Sequence, residues 1–399
     1  MSEIKVNSIK GVGASVAALS INNSDGTCTA NITNNLSNKN FIINGEMKVC
    51  QRVGTTSTAV TNESKYVLDR FKVSTSSGGG TSLNIQQLHG NPIGAPYGFA
   101  ASMKATVAVA DDGGSDSLNA VQTRIENLDS NYLAFGTSQA KTVTLSFHVK
   151  SSLTGTFGGA LVSGDFSKGY VFQYTISSAD TWEKKTITIS GDTASTADSV
   201  YNRGSATSLR GLVLYFDLGS GSNAEKSAAN SWSATGTWGY GARIAGNVKL
   251  CANAGADWSI TGIQLEEGSV ATDFEHRSFS DELMRCYRYY QVIAKGSDGT
   301  AGARAPLVSG QMWGTTGFYG VLTLKNKMRT IPSLDVVNGT DYWQVYNNTT
   351  DTCDTLAYNN ASPEAISLYL SGNLNGTAYV GAWSRTNNAA AFVAAKAEL

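Results

Sequence analysis

Histidine is scarce, with three among 399 residues, and proline is nearly as rare at five. Charged residues make up 15% of the chain, where an average globular domain carries about a quarter. Each shortage excludes something. Three histidines leave few ways to assemble an imidazole metal site or a catalytic triad. Five prolines rule out a proline-rich linker or a collagen repeat. Lys+Arg 30 against Asp+Glu 31 gives a net charge of -1, so the basic excess that holds nucleic-acid phosphates is missing. No run approaches the roughly 20 apolar residues of a membrane helix. The five cysteines (Cys28, Cys50, Cys251, Cys286, Cys353) are odd in number and far apart. They form no Cys-x-x-Cys pair, which argues against structural zinc or a redox motif and for reduced thiols. The opening MSEIKVNSIKGVG has no apolar core of the secretory type, and the expectation is synthesis in a cytosol.

What the chain has instead is glycine, at 42 residues, abundant Ser, Thr and Asn, and period-two alternation in short runs. Residues 142–150 are the clearest case. Val143, Leu145, Phe147 and Val149 point one way, and Thr144, Ser146, His148 and Lys150 the other, which predicts a half-buried strand with one wet face. Similar runs lie at 170–176, 185–189, 212–218 and 248–251, separated by turn clusters at 77–80, 111–114 and 220–223. Many short strands with regular turns predict an all-β protein with a jelly-roll or β-sandwich domain. One helix is predicted, over 280–293. Leu283, Tyr287 and Tyr290 fall on one stripe, Ser278 or Ser280 caps it, and Asp281 and Glu282 sit in its first turn. Its end is early, since 289–293 also suit a strand. A second, smaller β domain follows, with strands near 320–324, 341–346, 365–370 and 377–383 and an alanine-rich stretch at 389–397. The first forty residues spread Ile4, Val6, Ile9, Val12, Val16, Leu19, Ile21 and Ile32 too thinly for a core. Association with further copies of the chain, β-structured and threefold, is the expected remedy. The predicted division is a short N-terminal β/extended attachment and trimerisation segment (1–40), a sandwich (41–277), a connecting helix (278–293) and a C-terminal β domain (294–399).

Several phrases stand out together. Phe-Ile-Ile-Asn-Gly-Glu-Met at 41–47 leads into Gln51-Arg52, and Tyr-Val-Leu-Asp-Arg-Phe follows at 66–71. Ile-Thr-Gly-Ile-Gln-Leu-Glu-Glu-Gly occupies 260–268, followed by Ala-Thr-Asp-Phe-Glu at 271–275 and Leu-Met-Arg-Cys-Tyr-Arg-Tyr-Tyr at 283–290. Met-Arg-Thr-Ile-Pro stands at 328–332, Ala-Glu-Leu at 397–399, and Glu-Ile-Lys-Val-Asn-Ser-Ile near the start. In this order and spacing they resemble the tail-fibre-like structural proteins of tailed bacteriophages, those of marine phages in particular. The resemblance implies a carbohydrate-binding-module-like sandwich, a C-terminal receptor-binding tip and a homotrimeric fibre in the virion. Its partners would be a tail or adaptor protein at the N-terminal segment and a host surface glycan or protein at the tip. No cofactor, nucleic acid or membrane insertion is implied.

The physical reading of those phrases is architectural. Asp69-Arg70 suits a charge-assisted contact that pins a strand edge, and Gln51-Arg52 the same beside the first strand. Asn44-Gly45 is a turn signal in which glycine supplies φ > 0. Leu265 faces inward while Gln264 and Glu266 face out.

Catalytic signatures are missing: no Gly-x-Ser-x-Gly, no Walker loop, no His-Glu-x-x-His and no Gly-x-Gly-x-x-Gly. His89, His148 and His276 read as surface or capping residues. The cysteines lack the setting that lowers a thiol pKa. A glycosidase needs only two carboxylates about 5–9.5 Å apart, which 31 acidic residues leave open. No β-helix rung repeats, so the expectation is a protein without enzymatic activity. Acidic turns at 111–116 and 351–354 offer oxygens for calcium but match no EF-hand; solvated turns are the expectation. For ligand binding the candidates are aromatic: Tyr342 and Tyr346, sharing a face with Gln344, then Tyr369, Tyr379 and Trp383. Core or subunit interface is the competing reading of each. Three functions follow in order: host-adhesive tail fibre, head fibre or capsid decoration protein, and tailspike polysaccharide depolymerase.

Overall fold

The computed structural model describes Ser8–Ile9, Leu19–Ile21, Ser24, Cys28–Ala30 and residues 38–399, apart from 76–79, 92–93, 113, 236–241 and 297–303. Most of the expected attachment segment therefore lies outside the described residues, as do most of the glycine turn at 77–80 and Gly113. Within its described part, Ser8–Ile9, Leu19–Ile21 and Cys28–Ala30 pair antiparallel in one small sheet.

The architecture is all-β. Two sheets face each other in the larger unit. One runs in the order Glu183–Ile189, Val143–Ser151, Asp257–Glu267, Ala101–Val109, Ser82–His89, Thr58–Thr61. The other runs Trp232–Ala234, Lys168–Ile176, Gly155–Ser163, Arg210–Asp217, Asn119–Glu126, Phe71–Thr75, Glu63–Leu68. Alternation explains the core between them. Val143, Leu145, Phe147 and Val149 are all fully buried. Phe147 meets Tyr174 and Phe216 of the opposing sheet edge to face, both at 5.1 Å between ring centroids, the geometry aromatic quadrupoles favour.

The wet face expected for this strand is only partly wet. Thr144 and Ser146 are buried and His148 is half-buried. The covering chain is the 40–47 segment together with 271–277. Phe41 N–H donates to the Leu265 carbonyl and Ile263 N–H to the Gly45 carbonyl. Gln264 and Glu266 do point away from Leu265, yet they are buried under this cover. Gln264 Oε1 accepts from Glu275 N–H at 2.8 Å, and Glu266 accepts from the Thr272 hydroxyl at 2.6 Å. The 248–251 run, predicted as a strand, is a 3-10 turn at Leu250–Ala252. Its neighbouring N–H groups reach two different segments, Val248 to Thr156 and Cys251 to Leu218 just past Arg210–Asp217, so no single ladder can form.

The helix is shorter than 278–293. It spans Phe279–Tyr287, capped by Ser278 Oγ accepting from Asp281 N–H at 3.1 Å, and Tyr290–Lys295 is already a strand. Its buried side is Glu282 and Cys286 instead of Leu283 and Tyr287. Glu282 tolerates burial because it accepts from Asn44 N–H at 2.6 Å and lies 3.5 Å from Arg277.

The smaller unit is a second sandwich. Tyr290–Lys295, Phe392–Lys396 and Ser333–Val337 form one sheet. The other runs Thr350–Cys353, Trp343–Tyr346, Gly381–Thr386, Pro306–Trp313, Gly317–Thr323, Ala365–Ser371, Thr355–Ala361. Met312, Phe318, Trp343, Leu368 and Leu370 share a core with Val393 and Ala395.

The two units are joined by a network that draws together several of the distant phrases. Arg52 and Arg70 do not pair within their own dipeptides. Both reach Glu398, at 2.9 and 2.5 Å. Their guanidinium carbons lie 3.6 and 3.5 Å from the ring centroids of Tyr290 and Tyr289 respectively. Asp69 instead accepts twice from Gln51, through its backbone N–H and its Nε2, both at 2.7 Å. Arg329 donates to the carbonyls of Ser208, Ala397 and Glu398. The reason for the crossed pairing is backbone: Arg70 has φ +70 at a two-residue turn, which turns its side chain away from Asp69.

Candidate functional site

The outer face of the smaller unit's seven-stranded sheet is aromatic. Strand alternation puts it there. In Pro306–Trp313, Met312 points into the core while Ser309, Gln311 and Trp313 face solvent. Register then aligns neighbours across the sheet: Tyr346 with Trp383, Trp383 with Ser309, Gln311 with Tyr319, and Tyr319 with Tyr369. Trp313 is 63% exposed, Tyr379 73%, Tyr346 43% and Trp383 36%. These are values far above those of core aromatics such as Trp343 and Phe318, at 0%.

The rings form two groups. Tyr346 and Trp383 lie 5.8 Å apart, tilted by 37°. Trp313 stands edge-on to Tyr319 and Tyr379 at 6.3 and 6.2 Å, and Tyr319 lies 4.6 Å from Tyr369. Gln311 and Ser309 lie between the groups, one donor-acceptor amide and one hydroxyl. Tyr379 has φ +59, a left-handed backbone that costs a bulky residue of order 1 kcal/mol. It sits in the loop before Gly381–Thr386, which is tied to the sheet by Met312 N–H on the Val380 carbonyl.

At one edge of this face stand two arginines. Arg304 Nη1 and Arg385 Nε both donate to Gln344 Oε1, at 2.8 and 2.6 Å. Gln344 is 4% exposed. The Arg385 guanidinium carbon is 5.0 Å from the Trp383 ring centroid.

Of the five aromatic candidates from sequence, Tyr346, Tyr369, Tyr379 and Trp383 are brought together here. Tyr342 is not. It precedes the strand in a turn closed by its N–H on the Gly339 carbonyl, and its ring packs on the second core; the turn breaks the alternation that placed it beside Gln344. Trp313, Tyr319, Gln311, Arg304 and Arg385 were missed. The flanking glycines 310 and 314 hid the alternation of Gln311 and Trp313 around Met312.

A concavity of about 860 Å³ flanks the joint between the units. Arg52, Lys72, Arg124, Arg329 and Lys396 are among its walls. Arg52 is paired with Glu398, and Arg329 spends its donors on backbone carbonyls within the joint. The acidic turns are tied to neighbouring segments of the protein. Asp351 accepts from Asn375 N–H, Asp354 accepts from Asn373 at 2.7 Å and Asp112 pairs with Lys249 at 2.7 Å. Among the described residues no three His, Cys, Asp or Glu side chains converge as a ligand set. Cys50, Cys251, Cys286 and Cys353 are free thiols. Burial pushes Cys50 up to about 11, and burial with nearby Asp351 pushes Cys353 up to about 12, so neither is a thiolate at neutral pH.

No protein-family model matches the chain, and no curated protein matches it in sequence. Solved structures with some likeness include the enzymatically active domain of bacteriophage CBA120 tailspike protein 4. It is 10% identical over 57% of this chain, with a TM-score of 0.28, and the chain spans 21% of that protein's length. A family 11 carbohydrate-binding module of a Clostridium thermocellum cellulase is 13% identical, covering 56% of this chain and 99% of the module, TM-score 0.24. A putative sugar binding protein from Bacteroides thetaiotaomicron is 11% identical, covering 58% and 100%, TM-score 0.26. At these scores nothing about ligand or activity follows for this chain.

Proposed function

We propose that this chain is a virion structural protein of a tailed bacteriophage, a homotrimeric tail fibre that attaches the particle to a glycan on the host surface. The outer aromatic face of the C-terminal unit is the adhesive surface, and the N-terminal segment docks to the tail or an adaptor protein. The observation that carries the reading is the exposure of Trp313, Tyr379, Tyr346 and Trp383 on one sheet face, interleaved with Gln311 and Ser309. Flat apolar rings beside amides and hydroxyls suit a sugar, whose ring has an apolar face and a polar rim. Soluble proteins seldom expose so many large aromatics together without a partner for them. The phrases shared with tail-fibre-like proteins support the virion assignment, and several of them meet at the joint that holds the tip in place. The role is adhesion without catalysis.

The test is staining of host cells with labelled intact protein, and competition against infection. Wild type stains cells and blocks infection at saturation. Trp313→Ala with Trp383→Ala loses both while unfolding at the same denaturant concentration. Staining that survives the double substitution removes the aromatic face from the proposal.

A further inference from the structure

The geometry points to an acidic glycan: a carboxylated polysaccharide whose uronate groups sit on Arg304 and Arg385 while pyranose rings lie on Trp383 and Tyr346. This rests on the adhesive reading above and narrows its ligand class.

Two guanidinium groups share one neutral acceptor, Gln344 Oε1, at 2.8 and 2.6 Å. That amide is buried, so the strand fixes the meeting point, not a freely turning surface side chain. A neutral oxygen satisfies hydrogen bonds but neutralises no charge. Among the described residues neither arginine has a carboxylate partner, and the charged neighbour acting on Arg385 is Arg304. Partial burial and that neighbour together draw Arg385 below its ordinary range. Two like charges held together are relieved by an anion between them. Arg385 uses its Nε on Gln344, which leaves its terminal nitrogens as a planar fork, the shape that receives a carboxylate through two parallel hydrogen bonds.

Position selects the kind of anion. Arg385 and Trp383 are two residues apart on one strand and share a face, with the guanidinium 5.0 Å from the indole centroid. Tyr346 lies directly across from Trp383. A uronate carries its carboxylate on the same ring that stacks, so one sugar residue can meet ring and fork together. A free anion would have no use for the indole, and a neutral sugar none for the second arginine.

The experiment is titration calorimetry of intact protein with polygalacturonate and with its methyl ester, which keeps the sugar and removes the charge. Polygalacturonate should bind at least about tenfold tighter, the size of a lost charge-assisted contact, and this preference should shrink in high salt. Arg304→Gln with Arg385→Gln should erase the preference. Trp383→Ala should weaken both polymers. Equal affinity for the two polymers, or a preference that persists in the arginine double variant, overturns the acidic-glycan inference and leaves the adhesive face standing. Binding of neither polymer, with cell staining indifferent to Trp383→Ala, overturns both.

Discussion

Glu126 receives Arg288 through two nitrogens, Nε at 2.7 Å and Nη2 at 2.8 Å. The carboxylate ends a sandwich strand, and the arginine follows the helix that leads to the smaller unit. The same carboxylate accepts from the Ser208 hydroxyl at 2.5 Å and from the Tyr289 hydroxyl. Burial pushes its pKa up, but the hydrogen bonds from Arg288, Ser208 and Tyr289 pull harder and bring it down to about 2. Its folded pKa lies below the ordinary 4.5. The stability it contributes is therefore complete above pH 4.5 and lost as pH falls from there to about 2. Glu126→Gln should cost about 2–3 kcal/mol at pH 7, and the difference from wild type should vanish near pH 2. Denaturant unfolding across that range measures it; a constant difference would refute the assignment.

Glu398 is the other tie. It lies between Arg52 and Arg70, and Arg70 is 1% exposed. Removing one member of a buried ion pair strands the other charge, at about 3–5 kcal/mol. Glu398→Ala should therefore uncouple the units, and calorimetry should resolve two unfolding transitions where wild type has one. The contrast is Glu364, paired with Lys327 at 2.9 Å with both side chains about two-thirds exposed. Glu364→Ala should change stability by less than about 1 kcal/mol. Equal effects from the two substitutions would contradict the burial argument.

Gly45 is required for space. A Cβ on it would stand 2.1 Å from the Ile263 carbonyl oxygen, a backbone atom that cannot turn aside. Gly98 has φ +92 and nothing within 4 Å of a would-be Cβ. Gly45→Ala should destabilise by about 3 kcal/mol or more, and Gly98→Ala by about 1 kcal/mol. Thermal unfolding of the two variants decides it, and the reverse order would mean that the 40–47 segment shifts freely.

Alternation made the core legible in advance, because a strand buried on one side writes its pattern directly into the sequence: Val143, Leu145, Phe147 and Val149 are inside as read. It failed where a second layer covers the other side. Gln264, Glu266, Thr144 and Ser146 were read as outward and are outward, but local sequence carries no sign of the 40–47 and 271–277 segments lying over them. At Asn44-Gly45 the turn was legible and its chemistry was not. Asn44 takes the positive φ, at 61, held by its own amide between Val49 and the Asp69 carbonyl, and glycine serves close approach. Asp69-Arg70 and Gln51-Arg52 were recognisable as polar anchors, but their partner Glu398 is more than three hundred residues away. The aromatic face was half visible. Tyr369 stood out against Ile366, Leu368 and Leu370, whereas Trp313 and Arg385 join it only through strand register.

His148 gives the fold a pH dependence that the acidic residues do not. It lies across from Lys184 on the outer face of Val143–Ser151, with its ring 4.8 Å from Phe99. Its Nδ1 is buried without a hydrogen-bond partner among the described residues. Burial, and then Lys184, push its pKa from 6.5 down to about 4. The unfolded chain takes up a proton near pH 6.5 that the folded chain refuses, so this contribution is complete above pH 6.5. It falls away as pH drops towards 4, a window that closes about where that of Glu126 opens. Allowing for partial exposure, the loss is about 2 kcal/mol. His148→Gln should flatten the unfolding free energy between pH 6.5 and 4, and the His148 ring proton resonance should titrate with a midpoint near 4. A midpoint near 6.5 would mean the ring turns out to solvent and leaves Phe99, in which case the cover over this strand opens far more readily than its packing implies.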